Sequence, residues 1–400
     1  WASHTFEKEV NWQIVTFMVP PEQWHDAPIL AITGSAEPRM SDEDVDKLRR
    51  FVLEGGTILS VTERGGRGFR EGIREVYRRL LPDRPLRPIP DDHELYSALF
   101  KLDDRERRML SFEMIDNGIR PLVIHTDADL SRAWQLQRPR AFHWAYAAPA
   151  NIVLYLTDQS LLPRGARQWP GEEEWATRRT VRVARLKWSG NWDPEPMAYE
   201  RFSRLMARDH QLKVAVSGPV LIDRDLLSKR FHVATLTGTG RLKLSAGERA
   251  ALREFVSNGG RLVIDAAGGD DAFRESAEDL LHDMYGRSAL RRMTLFDDLF
   301  EAKNANIDKV RYRIRTARRF GSGSQLPNLR AISIDGRTAV IFSPEDLTAG
   351  LVGYASSTCD GYHPDSAFKI MRNVMLHAAG PAEAETEEPI REPAKINLPF

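Results

Sequence analysis

The apolar positions of the chain fall into two patterns. Short unbroken runs at residues 27–33, 57–61, 232–237 and 261–264 have the length of buried strands. Between them, Val45, Leu48, Phe51 and Val52 recur at helical spacing, ahead of a Gly55-Gly56 stop. Ser41 with Asp44, and Ser245 with Glu248, carry the spacing of a helix N-cap whose acidic residue reaches back three positions later. Strand, helix, strand in so short a span is a βαβ unit, which predicts a parallel sheet with helices on its faces.

The pattern occurs twice. Ile32-Thr33-Gly34, Ser41, Leu48, Phe51-Val52, Gly55-Gly56 and Phe69 reappear 204 residues later as Leu236-Thr237-Gly238, Ser245, Leu252, Phe255-Val256, Gly259-Gly260 and Phe273. No gap interrupts this stretch, which identifies an internal repeat. A further match sets residues 120–130 against 337–347 at an offset of 217, so the second copy gains about thirteen residues, with residues 316–327 as their expected place. Each copy closes on a helix bearing Asn151-Ile-Val-Leu-Tyr or Asn373-Val-Met-Leu.

The second copy begins earlier than the first. Residues 180–188 alternate as a strand, 189–194 form a loop, 196–208 read as a helix and 212–216 as the next strand. In the first copy, residues 1–9 fit that helix and 12–17 that strand, so its opening strand is expected upstream of Trp1, in a longer polypeptide. The resulting division is a first domain at 1–159, a Pro/Gly/Arg/Glu-rich linker at 160–178, a second domain at 179–380, and an extended Pro/Glu-rich tail at 381–400.

Composition changes this picture little. The 400 residues include 57 basic and 57 acidic side chains, a balance that argues against a dedicated nucleic-acid binder. The basic stretches 311–315 and Arg318-Arg319 read as solvated strand face and loop. A single cysteine, Cys359, excludes an intrachain disulfide and a thiolate-rich metal site. No apolar run reaches the ~20 residues of a membrane helix.

Several motifs also resemble a known family. Residues 185–194 (Arg-Leu-Lys-Trp-Ser-Gly-Asn-Trp-Asp-Pro), Leu236-Thr-Gly, 255–260 (Phe-Val-Ser-Asn-Gly-Gly), 335–347 and 361–368 resemble the domain-of-unknown-function family numbered 4159. The likeness covers residues 180–380 well and 10–158 more loosely. It implies two flavodoxin-like α/β domains of the class I glutamine amidotransferase type in tandem. It also implies an exported or envelope-associated bacterial setting, in some relatives downstream of a prenyltransferase-type helical toroid, and it supplies no activity.

In such folds a nucleophile sits on a sharp turn after a strand, beside a helix N-terminus. The turns at that place, Glu63-Arg64-Gly65-Gly66 and 265–269 (Asp-Ala-Ala-Gly-Gly), offer neither Cys nor Ser at the apex. Their glycines predict that the backbone shape outlives the nucleophile. Cys359 lies four residues before His363, with nothing in the first copy to match it, and reads as a loop cysteine. Asp91-Asp92-His93, Asp270-Asp271 and Asp297-Asp298 lack metal-ligand spacing and read as turn and cap residues. Neither a metal nor a cofactor is expected.

Ligands of open parallel sheets sit beyond the carboxyl ends of the strands. In the second copy those ends bring Trp188, Asn191, Trp192, Asp193, Thr237, Thr239, Asp265, Ser343, Glu345 and Asp346, a set suited to a small polar or sugar ligand. In the first copy they bring Glu37, Glu63, Arg64, His125, Asp127 and Asp129, a different chemistry. The expected function is a non-catalytic binding or assembly module with a protein partner or a homo-oligomeric state. Trp134, Trp144, Trp169 and Trp175 are its candidate contact residues. The alternatives are a carboxylate-based hydrolase, which requires Asp193, Asp265 and Asp346 in one open pocket, and a carbohydrate-binding domain. The last requires Trp188 and Trp192 as an exposed platform.

Overall fold

The computed structural model describes residues 1–158, 169–171, 173–228, 230–302, 305–321 and 323–380. The expected tail, 381–400, and residues 160–168 of the expected linker lie outside the described residues. Each half is built around one sheet. The first contains β1 (Ile29–Gly34), β2 (Thr57–Thr62), β3 (Arg87–Pro88), β4 (Glu113–Asp116) and β5 (Pro121–Thr126). The second contains β6 (Arg179–Lys187), β7 (Leu212–Leu221), β8 (Val233–Gly238), β9 (Arg261–Ala266), β10 (Arg291–Arg292), β11 (Arg330–Ile334) and β12 (Arg337–Ser343).

The strand orders are β1-β2-β5-β4-β3 and β10-β11-β12-β9-β8-β6-β7. The parallel strands of the second half, numbered in their own sequence, run 2-1-3-4-5, the order of flavodoxin-like sheets. Both halves add an antiparallel hairpin at one edge, β4–β5 and β11–β12, which the βαβ pattern did not predict.

The repeat is exact where the sequence matched. Strands β1 and β8, helices Asp42–Leu53 and Ala246–Ser257, and strands β2 and β9 all keep the offset of 204. Ser41 with Asp44 and Ser245 with Glu248 both close full capping boxes. Each sheet is packed on both faces. One face of the first sheet is covered around Leu48, Phe51 and Ile73, the other around Phe112 and Ile152. The second is covered around Phe202 and Ile370 on one side and Leu252 and Phe273 on the other.

The beginning of the first half departs from expectation. Only Ala2–Thr5 is helical in the stretch 1–9, and residues 11–16 form no strand. The second half supplies the reason. There β7, the counterpart of 8–17, pairs with β6 alone, and residues 1–158 provide no counterpart of β6. A strand without a ladder partner leaves its backbone to water, and Trp12 and Ile14 stand 79% and 84% exposed.

Candidate functional site

The crevice at the carboxyl ends of β8, β9 and β12 is filled by the first half. The turn joining β4 to β5, Asn117-Gly118-Ile119-Arg120, enters it. An aspartate begins the turn, accepting the Gly118 N–H at Asp116 Oδ1 (2.8 Å), and Asn117 Oδ1 accepts the Ile119 and Arg120 N–H groups at 2.9 Å each. Gly118 holds φ at +90°, and a Cβ there would come within 2.9 Å of Thr239 Oγ1 and 3.0 Å of Asn191 Nδ2. Ile119, 7% exposed, packs with Ala267, Ala349 and Cys359.

Polar bonds fix the seat. Asn191 Nδ2 donates to the Asn117 carbonyl (2.9 Å) and to Thr239 Oγ1 (2.7 Å). Asn117 Nδ2 donates to the Pro194 carbonyl and to Glu195 Oε1, both at 2.9 Å. Glu195, 1% exposed, also accepts two bonds from Arg120, from Nε at 2.7 Å and from Nη2 at 3.1 Å. A second anchor joins His25, Glu54 and Tyr354: the imidazole lies 2.8 Å from Glu54 Oε2 and 2.7 Å from the Tyr354 hydroxyl. Charged groups buried this way are held by their partners or not at all.

The predicted site residues therefore divide into separate groups. Asp265 and Asp346 do converge, both buried. Asp265 accepts the Leu347 and Thr348 N–H groups and the Thr348 hydroxyl, at 3.2, 2.9 and 3.0 Å. Asp346 accepts from the N–H groups of Gly268 (2.9 Å), Ala349 and Gly350 (3.0 Å each). Burial raises both carboxyls, and Asp346 reaches about 7. Asp193 stands apart, paired with Arg185, whose guanidinium lies over Trp192. The three carboxylates do not meet in one open pocket.

The remaining residues serve the frame. Trp188 is 4% exposed and donates from Nε1 to the Thr237 carbonyl (2.9 Å), so it forms no open platform with the half-buried Trp192. Thr237 is buried opposite Asp265 in the ladder. Ser343 donates its hydroxyl to the Glu345 carbonyl. The Glu345 carboxylate accepts from Arg319 (2.6 Å) and Asn328 (3.2 Å), while burial pushes its titration upward.

Other expectations need correction. Arg313, inside the stretch read as solvated, is 1% exposed and donates to the carbonyls of Tyr354 and Ser356. Trp169 is buried, its Nε1 donating to the Glu54 carbonyl, and Trp144 and Trp175 are partly covered. Of those four tryptophans only Trp134 is open, at 36%. The reading of Cys359 as a loop cysteine needs no change: it is 5% exposed, and burial pushes its thiol up to about 12, where no thiolate forms at neutral pH. His363 instead accepts the Asp365 N–H at the start of helix Pro364–Ala379.

The elbow turns after β2 and β9 each enter the left-handed region. Arg64 and Gly268, one repeat apart, hold φ at +52° and +64°. Gly268 lies under Ile119, whereas Arg64 is exposed beside a cavity of about 550 Å³ lined by Glu63, Asp129, Ser131 and Arg132. Beneath it Ser60 Oγ lies 2.7 Å from His125 Nδ1, and His125 Nε2 lies 3.2 Å from Asp127 Oδ1. That order resembles a catalytic triad, but Ser60 and His125 are both fully buried, out of reach of a substrate. Burial lowers the His125 titration. Against the opposing effect of its own burial, Asp127 is held low by bonds from Thr62 and Arg74.

Among the described residues, no three His, Cys, Asp or Glu side chains are grouped to hold a metal ion, and no helix is long and apolar enough to cross a membrane. The residues that sequence reasoning missed are Asn117, Ile119 and Glu195. The Asn117-Gly118 pair is a hairpin signal and could have located the turn; nothing in the sequence announced where the turn would dock.

These features define a tandem α/β protein in which one repeat occupies the crevice of the other. The chain matches the family described as Domain of unknown function (DUF4159) over residues 2–157 and 182–379, and it belongs to that family. A comparison with curated proteins gives no match.

Proposed function

We propose that the chain is a non-catalytic assembly module built from two amidotransferase-like domains. The observation that carries this reading is the seating of Asn117–Arg120 in the second half's crevice, where a ligand of such a sheet would otherwise lie. The carboxylates there are spent on backbone N–H groups, and the elbows present Arg64 and Gly268 in place of a nucleophile. The strand order and the positive φ at both elbows support the amidotransferase-like assignment. The setting in an exported or envelope-associated bacterial protein rests on the family resemblance alone.

A small polar ligand fits the first half's open cavity better than the second half's crevice, because Arg64 and Arg132 face it together with Asp129. The hydrolase alternative retains one favourable feature, the raised Asp265 and Asp346 pair. The deciding experiment combines native mass determination of the protein from its source cells with ester, peptide and glycoside hydrolysis assays. A stable assembly without turnover is the expected result. Turnover abolished by Asp346→Asn in a protein that remains folded would establish the hydrolase instead.

A further inference from the structure

The two halves differ at the amino ends of their strands. In the first, the place bounded by Pro28, Gly55, Thr57 and Arg120 is packed down to a void of about 20 Å³, and Glu195 enters it from the second half. Arg120 holds the Val52 and Gly56 carbonyls and turns its remaining donors, Nε at 2.7 Å and Nη2 at 3.1 Å, to the Glu195 carboxylate. In the second half the counterparts His232, Gly259, Arg261 and Arg337 line a cavity of about 520 Å³. Arg337 holds the Val256 and Gly260 carbonyls in the same way, and among the described residues no carboxylate meets its Nε edge.

Charge sharpens the contrast. Glu54, whose carboxylate meets His25 and Arg50, has Asn258 as its counterpart 204 residues on, and Thr57 has Arg261. Arg182, Arg230 and His377 join the lining, and among the described residues no acidic side chain does. Burial and then Arg337 lower Arg261 to about 10. Burial and then Arg261 lower the His377 titration, against a smaller opposing effect of Asp298 from outside the lining. Cations gathered in a cleft without an acid focus a field that draws in anions. Guanidinium forks match carboxylate and phosphate oxygens in pairs. Leu226, Phe231 and Phe255 add an apolar wall, and the volume lies within the range of small-molecule sites.

We infer that this cavity binds a small molecule with two or more carboxylate or phosphate groups. One group takes, on the Nε edge of Arg337, the place that Glu195 takes on Arg120. The remaining charge meets Arg182, Arg230 and Arg261. Arg337 is half-buried while Arg182 and Arg230 are exposed, so the fork lies deeper than its neighbours. Such a recess suits a small anion rather than a nucleic-acid backbone, which follows an open basic stripe. The site stands at the opposite ends of β8, β9 and β12 from the Asn117–Arg120 seat, and it goes beyond the assembly-module reading.

The test is titration calorimetry of the 400-residue chain with citrate and with pyrophosphate, at constant ionic strength in chloride. One-to-one binding of at least one probe is expected, and the tighter of the two assigns the ligand to carboxylates or phosphates. Arg337→Lys keeps the charge and loses the fork, and should weaken that binding at least about tenfold. Asn258→Glu returns the acid that the first copy carries, at an exposed position, and should weaken binding by a similar factor. Circular dichroism checks that each variant is folded; if Arg337→Lys is not, Asn258→Glu decides alone. No binding of either probe at about 10 mM would overturn the inference. So would binding that a folded variant leaves unchanged, which would mark an adventitious ion on the surface. The Arg120–Glu195 pairing lies elsewhere, so a failure here leaves the assembly reading standing.

Discussion

Arg120 and Arg337 make the same pair of bonds in the two halves. Arg120 donates to the carbonyls of Gly56 (3.0 Å) and Val52 (2.7 Å), and Arg337 to those of Gly260 (3.0 Å) and Val256 (2.8 Å). Each guanidinium closes the end of the helix before it, where the final carbonyls lack partners within the helix. Arg120 has a second duty, the buried pairing with Glu195 across the halves. The same side chain thus caps a helix and holds the interface.

The two arginines should therefore differ in cost. Arg337→Ala removes bonds to carbonyls that water can partly replace, for a loss of about 1–2 kcal/mol. Arg120→Ala also strands the Glu195 carboxylate, and should cost about 3–5 kcal/mol. Urea denaturation of both variants checks the order.

Gly118 is committed by backbone and neighbours alike. At φ +90° an alanine is strained, and its Cβ meets Thr239 and Asn191. Gly118→Ala should destabilise by about 1–3 kcal/mol. Pairing it with Asn191→Ala should recover part of the loss, because one of the clashing side chains is then gone. The same denaturation series decides this.

Stability should fall as pH rises from about 4 to about 7. Asp346 titrates near 7 in the folded protein and near ~3.9 unfolded. Between those values the folded state keeps a proton that the unfolded chain has released, so the contribution is complete below about 4 and lost above about 7. Asp265 is shifted in the same direction. Melting temperatures at about pH 5 and about pH 8 should show the decline, and Asp346→Asn should flatten it.

Cys359 should resist thiol reagents in the folded protein. Its sulfur is buried beneath Ile119, and its titration lies about 12. Labelling with a disulfide reagent is expected only on unfolding, or more readily in Ile119→Ala, which opens the cover.

Much of this fold was legible in the sequence because its signals are local. The capping boxes at Ser41 and Ser245, the glycine stops and the ungapped offset each depend on a few neighbouring residues. What could not be read depends on contacts between residues far apart in the sequence. Asp265 and Asp346 were recognised as strand-end carboxylates, but Ile119, which packs on the nearby Ala267 and Ala349, comes from the other half of the chain. Arg313 looked like surface charge because nothing in its local sequence foretells burial against Tyr354 and Ser356. The stretch 12–17 has the composition of a strand, and among the described residues no strand pairs with it.

The central claim is that the first half's turn is locked into the second half's crevice, and a double-mutant cycle on Arg120 and Glu195 measures that lock directly. Arg120→Ala, Glu195→Ala and the double variant would be compared by urea denaturation. A coupling of about 2 kcal/mol or more is predicted, with the double variant less costly than the sum of the singles. Additive effects, with coupling below ~0.5 kcal/mol, would contradict the seating of one half in the other.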